Sequence, residues 1–114
     1  MSGSDLFTGT LDLLILRTLR DGDRHGYDVG RILRRVSEGV LDVGEGVLYP
    51  ALHRLEARGL LASRWGPSDT GRRARYYELT RRGAEVLDSR TRDWDGFSAA
   101  IQSVLDMPGE EPVS

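Results

Sequence analysis

Tyr49, His53 and Arg54 fall within about one and a half turns of a helix, and Arg72 and Arg73 stand side by side in a polar stretch. A phenol, an imidazole and guanidinium groups at these spacings supply hydrogen-bond donors and positive charge, which is the chemistry of holding a polyanion. Covalent chemistry has no comparable set. The chain has no cysteine, so thiolate nucleophiles, disulfides and thiolate zinc sites are excluded. His25 and His53 are too few for a His-only metal site. No Gly-rich phosphate loop or nucleophile elbow occurs, and Gly44-Glu45-Gly46 lacks the spacing of a nucleotide fingerprint. No enzymatic activity, metal or cofactor is therefore expected.

The charge distribution points the same way. The net charge of the 114 residues is −2, yet residues 17–82 carry +5 and the remainder carries −7. A binding surface is set by local charge, so this total does not exclude nucleic acid. The length suits one domain with one core. No apolar stretch approaches the ~20 residues of a membrane span, and the N-terminus lacks the pattern of a signal peptide. A cytoplasmic protein without membrane contact is the expectation.

The elements that must position these side chains follow from periodicity. Residues 5–20 read as a first helix, with Leu11, Leu14, Ile15, Leu16 and Leu19 giving it a broad apolar surface. Asp21-Gly22-Asp23 supplies turn chemistry. Residues 25–38 read as a second helix, apolar at Tyr27, Val29, Ile32, Leu33 and Val36 and basic at Arg31, Arg34 and Arg35, with Gly39 as a stop. Residues 46–58 read as a third, with Leu48, Leu52 and Leu55 on one face and Gly59 as its C-terminal cap. Pro50 is tolerable there only near the helix start. Residues 60–65 and 74–79 read as two strands around a tip at residues 66–73. Thr80 then caps a long helix to about Leu105. Residues 1–4 read as a frayed start and 106–114 as a disordered tail.

Three helices followed by a hairpin with a basic tip is the order of a winged helix-turn-helix. The expected fold is mainly α with a small antiparallel β-hairpin, comprising a DNA-binding unit at 5–79 and a dimerisation helix at 80–105. In this arrangement the third helix enters the major groove of B-DNA and the hairpin reaches adjacent phosphates or the minor groove. The expected contact set is Tyr27, Tyr49, Pro50, His53, Arg54, Arg72, Arg73 and Arg75. Tyr49 is either a phosphate contact or a core aromatic, and Leu48, Leu52 and Leu55 already define the core side. His53 faces either DNA or water. Arg75 lies on a strand whose register is open. Arg31, Arg34 and Arg35 read either as added contacts to the DNA backbone or as a solvated face.

The sequence also resembles the PadR-type winged-helix transcriptional regulators over residues 8–83. The resemblance is carried by Gly9-Thr10-Leu11-Asp12-Leu13-Leu14-Ile15-Leu16, by His25-Gly26-Tyr27-Asp28, by the run from Gly46 to Leu60, and by Arg72 to Thr80 with Gly83. Position 44 departs from the common pattern, with Gly where a capping Ser or Asn is usual. The resemblance implies a homodimer held mainly by the last helix with help from the first, and repression relieved by some ligands.

In the last helix, Leu87, Trp94, Ile101 and Val104 form an apolar seam joined by Phe97 and Leu105. Leu87, Trp94, Phe97 and Ile101 are the expected dimer and effector residues. Two copies of Trp94 facing each other across the seam would either anchor the dimer or stack a small flat aromatic effector. The expected partners are thus a second copy, double-stranded DNA with an inverted-repeat operator, and such an effector. The competing class is a winged helix that binds protein without DNA, in which cations on the third helix and hairpin are often absent.

Overall fold

A computed structural model of the chain describes residues 3–109, with side chains from Gly9 onward. The chain order is α1 (Gly3–Thr18), β1 (Arg24–His25), α2 (Gly26–Val36), α3 (Glu45–Ala57), β2 (Leu61–Pro67), β3 (Arg73–Leu79) and α4 (Arg81–Leu105). Most of the apolar positions expected of the helices meet in one core, whereas Tyr27 and Val36, expected on the apolar face of α2, are exposed. Leu11, Ile15, Leu16 and Leu19 of α1 and its end pack with Val29 and Leu33 of α2, Leu48, Ala51, Leu52 and Leu55 of α3, and Leu60, Leu61, Tyr77 and Leu87.

Helix ends are set by local chemistry. At α1, Leu19 and Arg20 donate backbone N–H to Leu16 and Arg17, and Thr18 Oγ1 donates back to Ile15 at 2.8 Å. These three-residue bonds tighten the last turn and close α1 at Thr18, two residues before its expected end. His25 caps α2, with Nδ1 accepting from the N–H of Asp28 at 3.3 Å. Glu38 and Gly39, at φ 54° and 85°, turn the chain out of α2. Gly44 caps α3 through its backbone alone, so the departure at this position leaves the helix start one hydrogen bond poorer. Pro50 is the sixth residue of α3 and withholds an N–H from the carbonyl of Gly46.

The hairpin is longer than expected and gains a partner. Its strands pair antiparallel from Leu61↔Leu79 to Pro67↔Arg73, and β1 adds to the far side of β3 through Arg24↔Tyr77 and His25↔Tyr76, giving the order β1-β3-β2. The two-residue β1 is too short to show alternation in sequence. Gly71, at φ 81°, closes the tip by donating its N–H to Ser68 at 2.9 Å.

One joint ties α3, β2 and α4 together. After α3, Gly59 at φ 76° donates to Glu56, and Leu60 donates to Leu55, a glycine-terminated helix end. The Leu60 carbonyl then accepts the Thr80 N–H at 3.1 Å, while Thr80 Oγ1 donates to the Gly59 carbonyl at 2.7 Å and accepts the Gly83 N–H at 3.0 Å. A Cβ at residue 83 would lie 2.1 Å from the Leu60 oxygen, so only glycine lets α4 approach this closely. Beyond Leu87, α4 runs out of the body, and the principal extents are 70 × 29 × 24 Å. Asp106 caps its end by donating its N–H to Gln102 at 2.9 Å. The expected fray begins at Met1 and Ser2 and the expected tail ends in 110–114, both outside the described residues, whereas Gly3 and Ser4 already belong to α1.

Candidate nucleic-acid interface

With Leu48, Ala51, Leu52 and Leu55 turned inward, the opposite stripe of α3 is Gly46, Pro50, His53 and Ala57, all exposed. Tyr49 sits on the flank. A Cβ at Gly26 would come 2.7 Å from Tyr49 Cε1, so the ring packs against the first residue of α2. Burial, followed by the nearby charge of Glu45, raises the Tyr49 phenol above its ordinary pKa.

Arg54 points elsewhere. Its Nη2 pairs with Asp12 of α1, a carboxylate only 2% exposed. The free cation expected on the groove side of α3 is instead turned against α1, because a carboxylate held in the core must be paired. Asp12 lies 42 residues away in sequence, and nothing local to α3 announces it.

At the start of α2, the Tyr27 side chain is exposed and stacks near His25, with the Arg31 guanidinium 5.8 Å from its centroid. Arg31 also pairs with Asp28 at 3.3 Å. Arg34 and Arg35 extend this exposed cationic face and have no salt-bridge partner among the described residues.

In the hairpin, Arg72 and Arg73 are both exposed at the tip. The register left open by sequence is fixed by the pair Trp65↔Arg75. Arg75 shares its face with buried Tyr77, donates Nε to Ser63 Oγ at 2.9 Å and pairs with Glu56 of α3 at 3.2 Å. On the other face the Tyr76 ring covers Gly66, its hydroxyl donates to the Pro67 carbonyl, and Arg64 pairs with Asp23. Trp65 is 55% exposed beside Arg73 and Arg75.

Along α4 the four seam residues separate. Leu87 is fully buried and closes the chain's own core, so it is not on the outward seam expected from its spacing. A heptad-like repeat continues unchanged across the point where a helix leaves its body. Trp94, Phe97 and Ile101 remain about 40% exposed, with the two rings edge to face at 6.2 Å, and Val104 and Leu105 are more exposed still. Among the described residues no cluster of His, Asp or Glu could hold a metal, and no helix is long and apolar enough to cross a membrane.

The profile of the Transcriptional regulator PadR-like family matches residues 15–89. The chain is 40% identical over 75 residues to Transcriptional regulator Rv3488 of Mycobacterium tuberculosis, covering 66% of each protein. It is 31% identical over 80 residues to Transcriptional regulator YqjI of Escherichia coli, covering 70% of this chain but 37% of that protein. In structure it is similar to a transcriptional regulator from Clostridium thermocellum, with a TM-score of 0.78 and 29% identity over 90% of this chain and 97% of the other.

Proposed function

The chain belongs to the PadR-like family of transcriptional regulators, and from that premise we propose that it is a homodimeric, cytoplasmic repressor whose two copies grip an inverted-repeat operator. The observation that carries the reading is the exposed stripe of α3 together with exposed cations on the two elements that flank it in the chain's packing, Arg31, Arg34 and Arg35 of α2 and Arg72 and Arg73 of the hairpin. The stripe enters the major groove, where His53 is its polar reader and Pro50 and Ala57 make apolar contacts. Tyr49 and Tyr27 donate to phosphates from the flanks. Arg72 and Arg73 neutralise phosphates beside the adjacent minor groove. Arg54 and Arg75 act indirectly, by holding α3 to α1 and the hairpin to α3.

Dimerisation uses the outward seam of Trp94, Phe97, Ile101, Val104 and Leu105, all exposed among the described residues. Half-sites then lie about one helical turn apart, ~10 bp between centres. A flat aromatic compound stacked between the paired Trp94 indoles relieves repression by changing the spacing of the two grips.

The absence of an arginine on the α3 stripe also favours a second reading, a winged helix that docks on protein. The two separate in one measurement. Fluorescence anisotropy with labelled, sheared genomic DNA should give binding at 50 mM salt that weakens by orders of magnitude at 200 mM. No binding at low salt would remove the DNA reading and leave the protein-docking one.

A further inference from the structure

We propose that Trp65 is itself a duplex contact, its indole lying against a deoxyribose and its N–H donating to a phosphate of the strand that the hairpin meets. The inference rests on the DNA-binding reading above and adds a residue that reading does not use.

Strand alternation places residues 61, 63 and 65 of β2 on one face with 79, 77 and 75 of β3. The inner end of that face is core, with Leu61 and Tyr77 almost fully buried. Its outer end overhangs the body, and there the largest side chain of the hairpin is left half-uncovered. Two guanidinium groups stand over it, Arg75 at 5.7 Å and Arg73 at 6.0 Å from the ring centroid. Arg75 is in turn fastened to Ser63 and to Glu56 of α3, one turn beyond His53. The sequence of contacts Glu56, Arg75, Trp65, Arg73 thus runs from the groove-reading helix to the hairpin tip along the side that faces α3. A duplex seated on Pro50 and His53 meets Trp65 next. The arrangement suits the two chemistries of a nucleic-acid backbone: cations for the phosphate, and a flat apolar ring with one donor for the sugar edge.

The test uses the intact chain carrying 5-fluorotryptophan, whose two fluorine signals are assigned with Trp65→Phe, and a fluorescein-labelled 30-bp duplex of random sequence. Anisotropy reports whether the duplex binds; the fluorine spectrum reports what Trp65 senses. The expected result is a shifted Trp65 signal that loses its H2O/D2O isotope effect at saturation. Trp65→Ser should bind about tenfold more weakly, and Trp65→Phe, which keeps the ring and loses the donor, about threefold. A bound duplex with an unmoved Trp65 signal and an unchanged isotope effect overturns the proposal, because a tryptophan that only shields the Arg75–Glu56 pair behaves that way. Absence of duplex binding by the unsubstituted chain at 50 mM salt overturns the DNA reading and this inference with it. The fluorine readout on the unsubstituted chain stands even where Trp65→Ser fails to fold.

Discussion

Arg54 and Asp12 illustrate what a single contact decides. Removing the guanidinium leaves a carboxylate that is 2% exposed without its counter-charge. Arg54→Ala should lower the unfolding free energy in urea by about 2–3 kcal/mol, less than for a wholly buried pair because the arginine is a third exposed. The double substitution Asp12→Leu, Arg54→Leu should recover most of that loss, and neither protein should show an altered salt slope of DNA binding. A slope reduced by one unit in Arg54→Ala would return this residue to the phosphate contacts. The tyrosines make a pH prediction of definite sign. Burial raises the Tyr49 phenol, with Glu45 adding to it; burial also raises Tyr77, against the opposing charge of Arg75. The unfolded chain therefore loses these protons first. Stability should be level below the ordinary tyrosine value of 10.0 and fall as pH rises above it. Tyr49→Phe should shallow that fall, as read by circular dichroism across alkaline pH.

Elements differ in how openly the sequence announces them. The four helices were legible from apolar spacing and cap residues, within two residues at most ends, because each has several turns over which a period shows. The hairpin was legible from its aromatic strands and Gly-Pro turn chemistry. β1 was not, since two residues have no period, and the Trp65↔Arg75 register was not, since it depends on pairing across the tip. The candidate site divides along the same line. Pro50, His53, Arg72 and Arg73 are exposed where local pattern put them, whereas the ties of Arg54 to Asp12 and Arg75 to Glu56 join residues distant in sequence. At this scale the hairpin tip yields a prediction. Arg72→Ala with Arg73→Ala should reduce the slope of log affinity against log salt by about two units without changing thermal stability. An unchanged slope would take the tip out of the interface. Glycine gives a paired prediction on α4. Gly96→Ala, whose added carbon meets no described atom within 4 Å beyond its own stretch of helix, should stabilise the helix by about 0.5–1 kcal/mol. Gly83→Ala, 2.1 Å from a backbone oxygen, should destabilise by about 3 kcal/mol or more; differential scanning calorimetry reads both.

At the scale of the molecule an exposed apolar seam runs along the protruding α4, while the cations of the candidate interface lie on α2 and the hairpin. The seam predicts assembly. Ile101→Glu should turn a sedimenting species of twice the 12.7 kDa chain mass into one of that mass, and weaken operator binding much more than binding to an isolated half-site. The joint at Gly59, Leu60, Thr80 and Gly83 has a mechanical meaning. Its three hydrogen bonds and its glycine contact leave no slack between α3 and the root of α4. The 25 residues of α4 span about 37 Å, so a swing of about 5° at its root equals about 3 Å at its tip. α4 is therefore a lever, and its ratio favours whatever acts at the far end. In the proposed dimer, a displacement of about 3 Å at the far end of such an arm turns the whole body, recognition helix included, by about 5° without breaking a bond inside it.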